Sequence, residues 1–146
     1  MEDKQETVRQ IRAFNRFYTV LLGFLNRDYF GSGYSVTETR ILFELKQGGQ
    51  MSASQLIDML HLDKSYISRL IRSLEQKALL TRYPSEKDGR ARILALTPAG
   101  QAEADRLIEI TNSKLYELVA PLSGEACDGL CQAMDTIIRS FGHADL

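Results

Sequence analysis

Ten residues, KSYISRLIRS from Lys64 to Ser73, carry four hydroxyls and three cations and no carboxylate. A solvated helix face normally interleaves Glu with Lys or Arg. Hydroxyls without carboxylates suit a different task. They donate to phosphate oxygens, while a guanidinium fork grips a phosphate or the edge of a guanine with two parallel hydrogen bonds. Lys64, Ser65, Tyr66, Ser68, Arg69 and Arg72 are therefore the first candidates for contact with a polyanion. A second stretch, SEKDGRAR over 85–92, has five charged residues in eight, with Lys87, Arg90 and Arg92 around an Asp88-Gly89 turn signal. It reads either as a solvated loop or as a charged finger.

Other chemistries find little support. Cys127 and Cys131 lie four apart on the apolar side of a helical pattern, which suits two small packed residues better than a redox pair. His61 and His143 are at no metal-ligand spacing from them. No Ser/His/Asp set and no phosphate-cradling glycine loop is apparent, so neither a metal, a cofactor nor an enzymatic activity is expected.

The elements that would hold these residues follow from periodicity. Residues 5 to about 29 read as one long helix with two apolar stripes: Val8, Ile11, Tyr18, Leu22, Leu25 and Tyr29 on one, Phe14, Phe17, Leu21 and Phe24 on the other. Two stripes exceed what one packing face requires, which predicts that this helix also meets a partner chain. After a GSGY loop (31–34), Thr37 to Gln47 forms a second helix with Ile41, Leu42 and Leu45 inward, stopped by glycine. Ser52 with Gln55 makes a capping box for a short helix that turns Leu56, Met59 and Leu60 inward. His61-Leu62 breaks it, and Asp63 caps the next helix, Lys64 to Ala78, with Ile67, Leu70, Ile71, Leu74 and Ala78 as its buried stripe. Leu79–Tyr83 and Ala91–Leu96 then read as two strands, with Lys87, Arg90 and Arg92 at the tip between them. Thr97 caps and Pro98 opens a long helix to about Val119, with Leu107, Ile110 and Leu118 inward. Pro121 breaks it, and Ser123 caps a final helix with Cys127, Leu130, Cys131, Met134, Ile137, Ile138 and Phe141 on one side. Two short helices joined by a turn and followed by a hairpin make a winged helix. The predicted fold class is mainly α with a small β-hairpin wing.

The 146 residues suffice for one domain with a real core. No apolar run reaches the roughly 18 residues of a membrane span, and the polar MEDKQETVRQ start resembles no signal peptide, so a cytoplasmic location is the expectation. The net charge of −1 hides a segregation. Residues 61–100 carry eight basic residues (Lys64, Arg69, Arg72, Lys77, Arg82, Lys87, Arg90, Arg92) against four acidic, while 101–146 carry three basic against eight acidic. One basic module between neutral and acidic flanks points to a polyanion-facing middle.

With those residues in view, DKSYISRLIRSLEQKALLTRYPSEKDGRARILALTPAG, 63–100, resembles the MarR family of winged helix-turn-helix transcriptional regulators. The matching positions are Asp63, Ser65, Ser68, Leu74-Glu75, Leu79-Leu80, Asp88-Gly89-Arg90, Leu96-Thr97 and Gly100. The stretch IRAFNRFYTVLLGFL is similar to MarR-like domains that precede an acetyltransferase domain in longer chains. This chain ends before such a domain could begin, so no acetyltransferase activity is expected.

The resemblance implies a homodimer whose terminal helices, about 1–30 and 98–146, form a dimerisation platform, with a winged helix-turn-helix at about 36–97 and its wing at about 79–97. It implies a DNA-binding regulator, a repressor in the commoner case. The helix from Lys64 would enter the major groove of a pseudo-palindromic operator, with half-sites one turn, about 34–36 Å, apart. Arg90 would enter a narrow minor groove, with Lys87 and Arg92 as phosphate neighbours. Tyr66 would touch a thymine methyl or lean back on the wing. Asp88 would fix the hairpin by a salt bridge or a turn hydrogen bond, and Gly89 would permit the tight turn. Members of the family often bind small aromatic or phenolic effectors in a cleft, which Phe14, Phe17, Tyr18 and Tyr34 would line here. Members that sense peroxides use a first-helix cysteine, and none stands there in this chain. A winged helix also serves as a protein-interaction adaptor, and such an adaptor without DNA affinity is the alternative reading.

Overall fold

A computed structural model of the chain describes residues 3–30 and 33–142, and only the backbone over 24–30. Gly31 and Ser32 of the expected loop, the stripe side chains of Phe24, Leu25 and Tyr29, and His143 thus lie outside the described residues. The element order is α1 (Lys4–Phe30), α2 (Val36–Gly48), β1 (Gln50–Ser52), α3 (Ala53–Leu60), α4 (Lys64–Gln76), β2 (Leu80–Pro84), β3 (Arg92–Leu96), α5 (Pro98–Val119) and α6 (Gly124–Phe141). It is a mainly helical winged-helix fold.

Each of α2 to α6 starts on a side-chain cap that satisfies an otherwise orphaned amide. Ser35 and Ser52 form full capping boxes with Glu38 and Gln55, Asp63 accepts from the Tyr66 amide, Thr97 from Gly100, and Ser123 from Ala126. The hairpin acquires a third strand that the sequence pattern misses. QMS over 50–52 pairs antiparallel with β3, giving the order β1-β3-β2, with Met51 opposite Leu94 and Leu80 opposite Leu96. Three residues are too few to show a period of two.

Among the described residues, the core lies between Ile41 and Leu107. Ile41, Leu42 and Leu45 of α2, Leu56 of α3, Ile67, Ile71 and Leu74 of α4, Leu94 of β3 and Leu107 of α5 are all at most 1% exposed. Among the described residues, neither α1 nor α6 contributes to it. Several inward expectations fail. Met59 is 47% exposed, because α3 turns the face of Ala53, Leu56, Ile57 and Leu60 to the core and Met59 falls beyond its edge. Leu118 is 42% exposed, because α5 has by then run past the core.

The end of α4 also departs from expectation. The helix stops at Gln76, and Ala78, expected in the buried stripe, is exposed in the left-handed region at φ 59°. The Ala78 amide donates to the Glu75 carbonyl and the Leu79 amide to that of Leu74. These two bonds make a Schellman stop, sealed by burial of Leu74 and Leu79. The position favours glycine, since the left-handed region costs an L-residue about 1–2 kcal/mol. Ala78→Gly should therefore stabilise the protein by about 0.5–1 kcal/mol after the added flexibility of the unfolded chain is subtracted. A urea midpoint raised at unchanged slope is the check.

Candidate nucleic-acid interface

The two candidate stretches come from elements that pack together, α4 and the β2–β3 wing. Lys64, Ser65, Arg69 and Arg72 are exposed on α4, and Tyr66 and Ser68 are half-buried beside them. The Arg69 guanidinium carbon lies 5.9 Å from the centre of the Tyr66 ring, so the tyrosine lies under the arginine and guides it across the helix face. Lys87 and Arg90 are exposed in the loop, and Arg92 is exposed one step behind the tip. Arg92 was expected at the tip but pairs with Pro84 as the first residue of β3.

The wing loop is held by its own acid. Asp88 Oδ1 accepts from the Arg90 amide at 3.0 Å, the Asp88 carbonyl accepts from the Ala91 amide at 3.0 Å, and the Ser85 amide donates to the Ala91 carbonyl at 2.9 Å. The Asp88 turn removes the reason given for glycine. Gly89 has no φ in the left-handed region, and a Cβ there would meet nothing within 4 Å.

Charge pairing separates the eight basic residues of 61–100 into two groups. Lys77 Nζ lies 3.3 Å from Glu38 Oε2, and Arg82 pairs with Glu75, its Nε 3.1 Å from Oε1. The other six, Lys64, Arg69, Arg72, Lys87, Arg90 and Arg92, enter none of the ion pairs found among the described residues. The segment's acids are meanwhile engaged internally: Asp63 and Asp88 as caps and Glu75 against Arg82, which leaves Glu86. What projects is a face of unneutralised cations and hydroxyls.

The segment 34–91, from Tyr34 to the end of the wing loop, matches the family model described as "MarR family". Over that segment the chain is similar to the MarR family. Over 130 residues it is 25% identical to an organic hydroperoxide resistance transcriptional regulator of Bacillus subtilis strain 168, covering 89% of this chain and 82% of that one. A probable transcriptional regulator of Pseudomonas aeruginosa superposes with a TM-score of 0.73 at 25% identity, over 88% of this chain and 97% of that one. A point mutant of E. coli MarR, solved in complex with operator DNA, superposes with a TM-score of 0.74 at 17% identity, over 94% and 99% of the two chains.

The four aromatic candidates for an effector cleft stand in different settings. Phe14 and Tyr18 stack on α1 with ring centres 5.3 Å apart, and Phe17 stands 65% exposed. Tyr34 is engaged elsewhere: its hydroxyl donates to Glu103 Oε2 at 2.8 Å, and Lys77 Nζ sits 4.8 Å over its ring. Burial and the hydrogen-bonded Glu103 carboxylate push the Tyr34 phenol up to about 12, so it remains a donor at any ordinary pH. Arg106, with Tyr34, holds Glu103 below the usual carboxylate range. An open cleft of about 500 Å³ lies beside the wing, lined by residues that include Gln50, Gln55, Tyr83, Lys87 and Ile93 and by none of the four aromatics.

Sequence reasoning selected the cation-bearing elements but missed Glu38, Tyr34 and Glu103 as partners of that region. The separations, 39 residues from Glu38 to Lys77 and 69 from Tyr34 to Glu103, leave no local signal.

Proposed function

We propose that this protein is a DNA-binding transcriptional regulator that acts as a homodimer, with α4 in the major groove and the wing tip in the adjacent minor groove. The observation that carries this reading is the set of six cations on α4 and the wing that enter no ion pair among the described residues, beside Lys77 and Arg82, which are paired. Arg69 and Arg72 would read guanine edges or grip phosphates, Arg90 would enter the minor groove, and Lys64, Lys87 and Arg92 would meet phosphates. Ser65, Ser68 and Tyr66 complete the base-facing surface. The regulator acts in the cytoplasm by binding rather than catalysis, as a repressor that occludes a promoter. The stacked Phe14 and Tyr18, with Phe17 beside them, are the proposed face for a flat aromatic effector.

The homodimer is supported by the terminal helices. Phe17, Val20, Tyr116 and Ile138 are between 65% and 74% exposed, and α6 buries no residue. Soluble monomers rarely leave contiguous apolar surface of this kind. The platform proposed is α1, the distal part of α5 and α6.

The test is titration of a fluorescent duplex from upstream of the protein's own gene, and of a scrambled duplex, at several salt concentrations. Tight, selective, salt-steep binding is expected. Arg90→Ala should weaken binding about tenfold and lower the salt slope by about one unit, with the dimer and its melting unchanged. Unchanged affinity at matched salt would remove the wing from the interface. No measurable binding to either duplex would leave the adaptor reading.

A further inference from the structure

The C-terminal cap of α4 and the start of α5 are linked through a chain of side chains. Lys77 is the residue that follows α4 and caps it. Its ammonium lies 3.3 Å from Glu38 Oε2 at the start of α2 and 4.8 Å over the Tyr34 ring. Glu38 is 8% exposed, and its other oxygen accepts from the Ser35 amide at 3.2 Å. Tyr34 continues the chain to α5 through its 2.8 Å bond to Glu103, which Arg106 holds with two bonds of 3.1 and 3.0 Å. Exposed ion pairs contribute little to a fold. This one differs because its carboxylate is buried and both of its oxygens are engaged, so its geometry is fixed rather than sampled.

We propose that Lys77, Glu38 and Tyr34 form a polar strut that locks the orientation of α4 to α5, making them positioning residues for DNA binding. The proposal rests on α4 being the recognition helix. A backbone latch at the same corner makes the strut a second tie rather than the only one. The Thr97 hydroxyl donates to the Ala78 carbonyl at 2.7 Å, and the Thr97 amide to the Leu79 carbonyl at 3.0 Å. With both ties in place, the end of α4 moves with the start of α5. Because α5 runs on into the exposed platform surface at Leu115 and Leu118, the strut relays the platform's geometry to the groove-facing helix. With the strut cut and the latch intact, the fold survives but α4 can tilt.

Tyr34→Phe is the discriminating variant. It keeps the ring under Lys77, and Glu103 keeps its two bonds from Arg106. Tyr34→Phe and Lys77→Met should each weaken binding of the upstream duplex about three- to tenfold at fixed salt, with the salt slope unchanged because no phosphate contact is lost. Lys77→Arg should recover most of the loss. In the free protein, Tyr34→Phe should speed amide exchange from Lys77 to Leu80, the segment that the strut clamps. Wild-type exchange there, or wild-type affinity in Tyr34→Phe, would overturn the strut. A salt slope lowered by about one unit in Lys77→Met would make Lys77 a phosphate contact instead. If the wild-type protein binds no duplex, the DNA reading itself fails, and amide exchange still decides whether the strut clamps α4.

Discussion

Met134→Asp combined with Ile138→Asp should turn the protein into a folded monomer of 16.5 kDa by light scattering. The expectation follows from α6. Leu130, Met134, Ile137, Ile138 and Phe141 recur at helical spacing on one side, and all are at least 40% exposed. A helix with such a stripe and no buried residue is held by something outside its own chain. Two carboxylates per protomer, each desolvated on association at about 2 kcal/mol or more, would weaken the proposed dimer at least about a thousandfold. The core ends at Leu107, so the winged domain should retain its helical circular dichroism. Gln132→Asp, on the opposite side of α6, should stay dimeric. Operator affinity should collapse in the double variant, since a monomer reads one half-site. A wild-type protein already at monomer mass would remove the platform.

Gly100→Ala should destabilise the protein by about 2–4 kcal/mol, although alanine is the better helix former by about 1 kcal/mol. A Cβ at Gly100 would stand 1.9 Å from the Leu79 carbonyl oxygen and 2.9 Å from its carbon. These are backbone atoms that no rotamer change can move, so α5 must retreat from the α4–β2 corner. Overpacking of this kind costs about 1–3 kcal/mol or more. The retreat also strains the Thr97–Leu79 bond, worth about another 1 kcal/mol. Gly129→Ala in α6 is the internal control. It meets nothing within 4 Å, so the same substitution should be neutral or stabilising there. Denaturant midpoints of the two variants should move in opposite directions. A stable Gly100→Ala protein would mean that the threonine latch, and not the close approach, holds the corner.

The two glycines show how legibility divides. Both sit in helices, and only the fold distinguishes the one pressed on Leu79 from the one facing open space. The sequence by itself determined what is local. Caps at Ser52, Asp63, Thr97 and Ser123, the stripe of Ile67, Ile71 and Leu74, and the turn chemistry of Asp88 each depend on residues within a few positions. Those signals order the helix-turn-helix and the hairpin, and they place the cations on α4 and the wing. Tertiary structure decided what depends on partners far along the chain. It added β1, whose three residues become a strand only because β3 offers them a ladder. It turned Met59 and Leu118 outward and stopped α4 before Ala78. Above all it divided the basic residues. Lys77 and Arg72 look alike in sequence, yet one faces a buried carboxylate from α2 and the other enters no ion pair among the described residues. The reason is physical: capping and periodicity act over one or two turns, whereas charge neutralisation acts through space, between residues that only folding brings within a few ångströms.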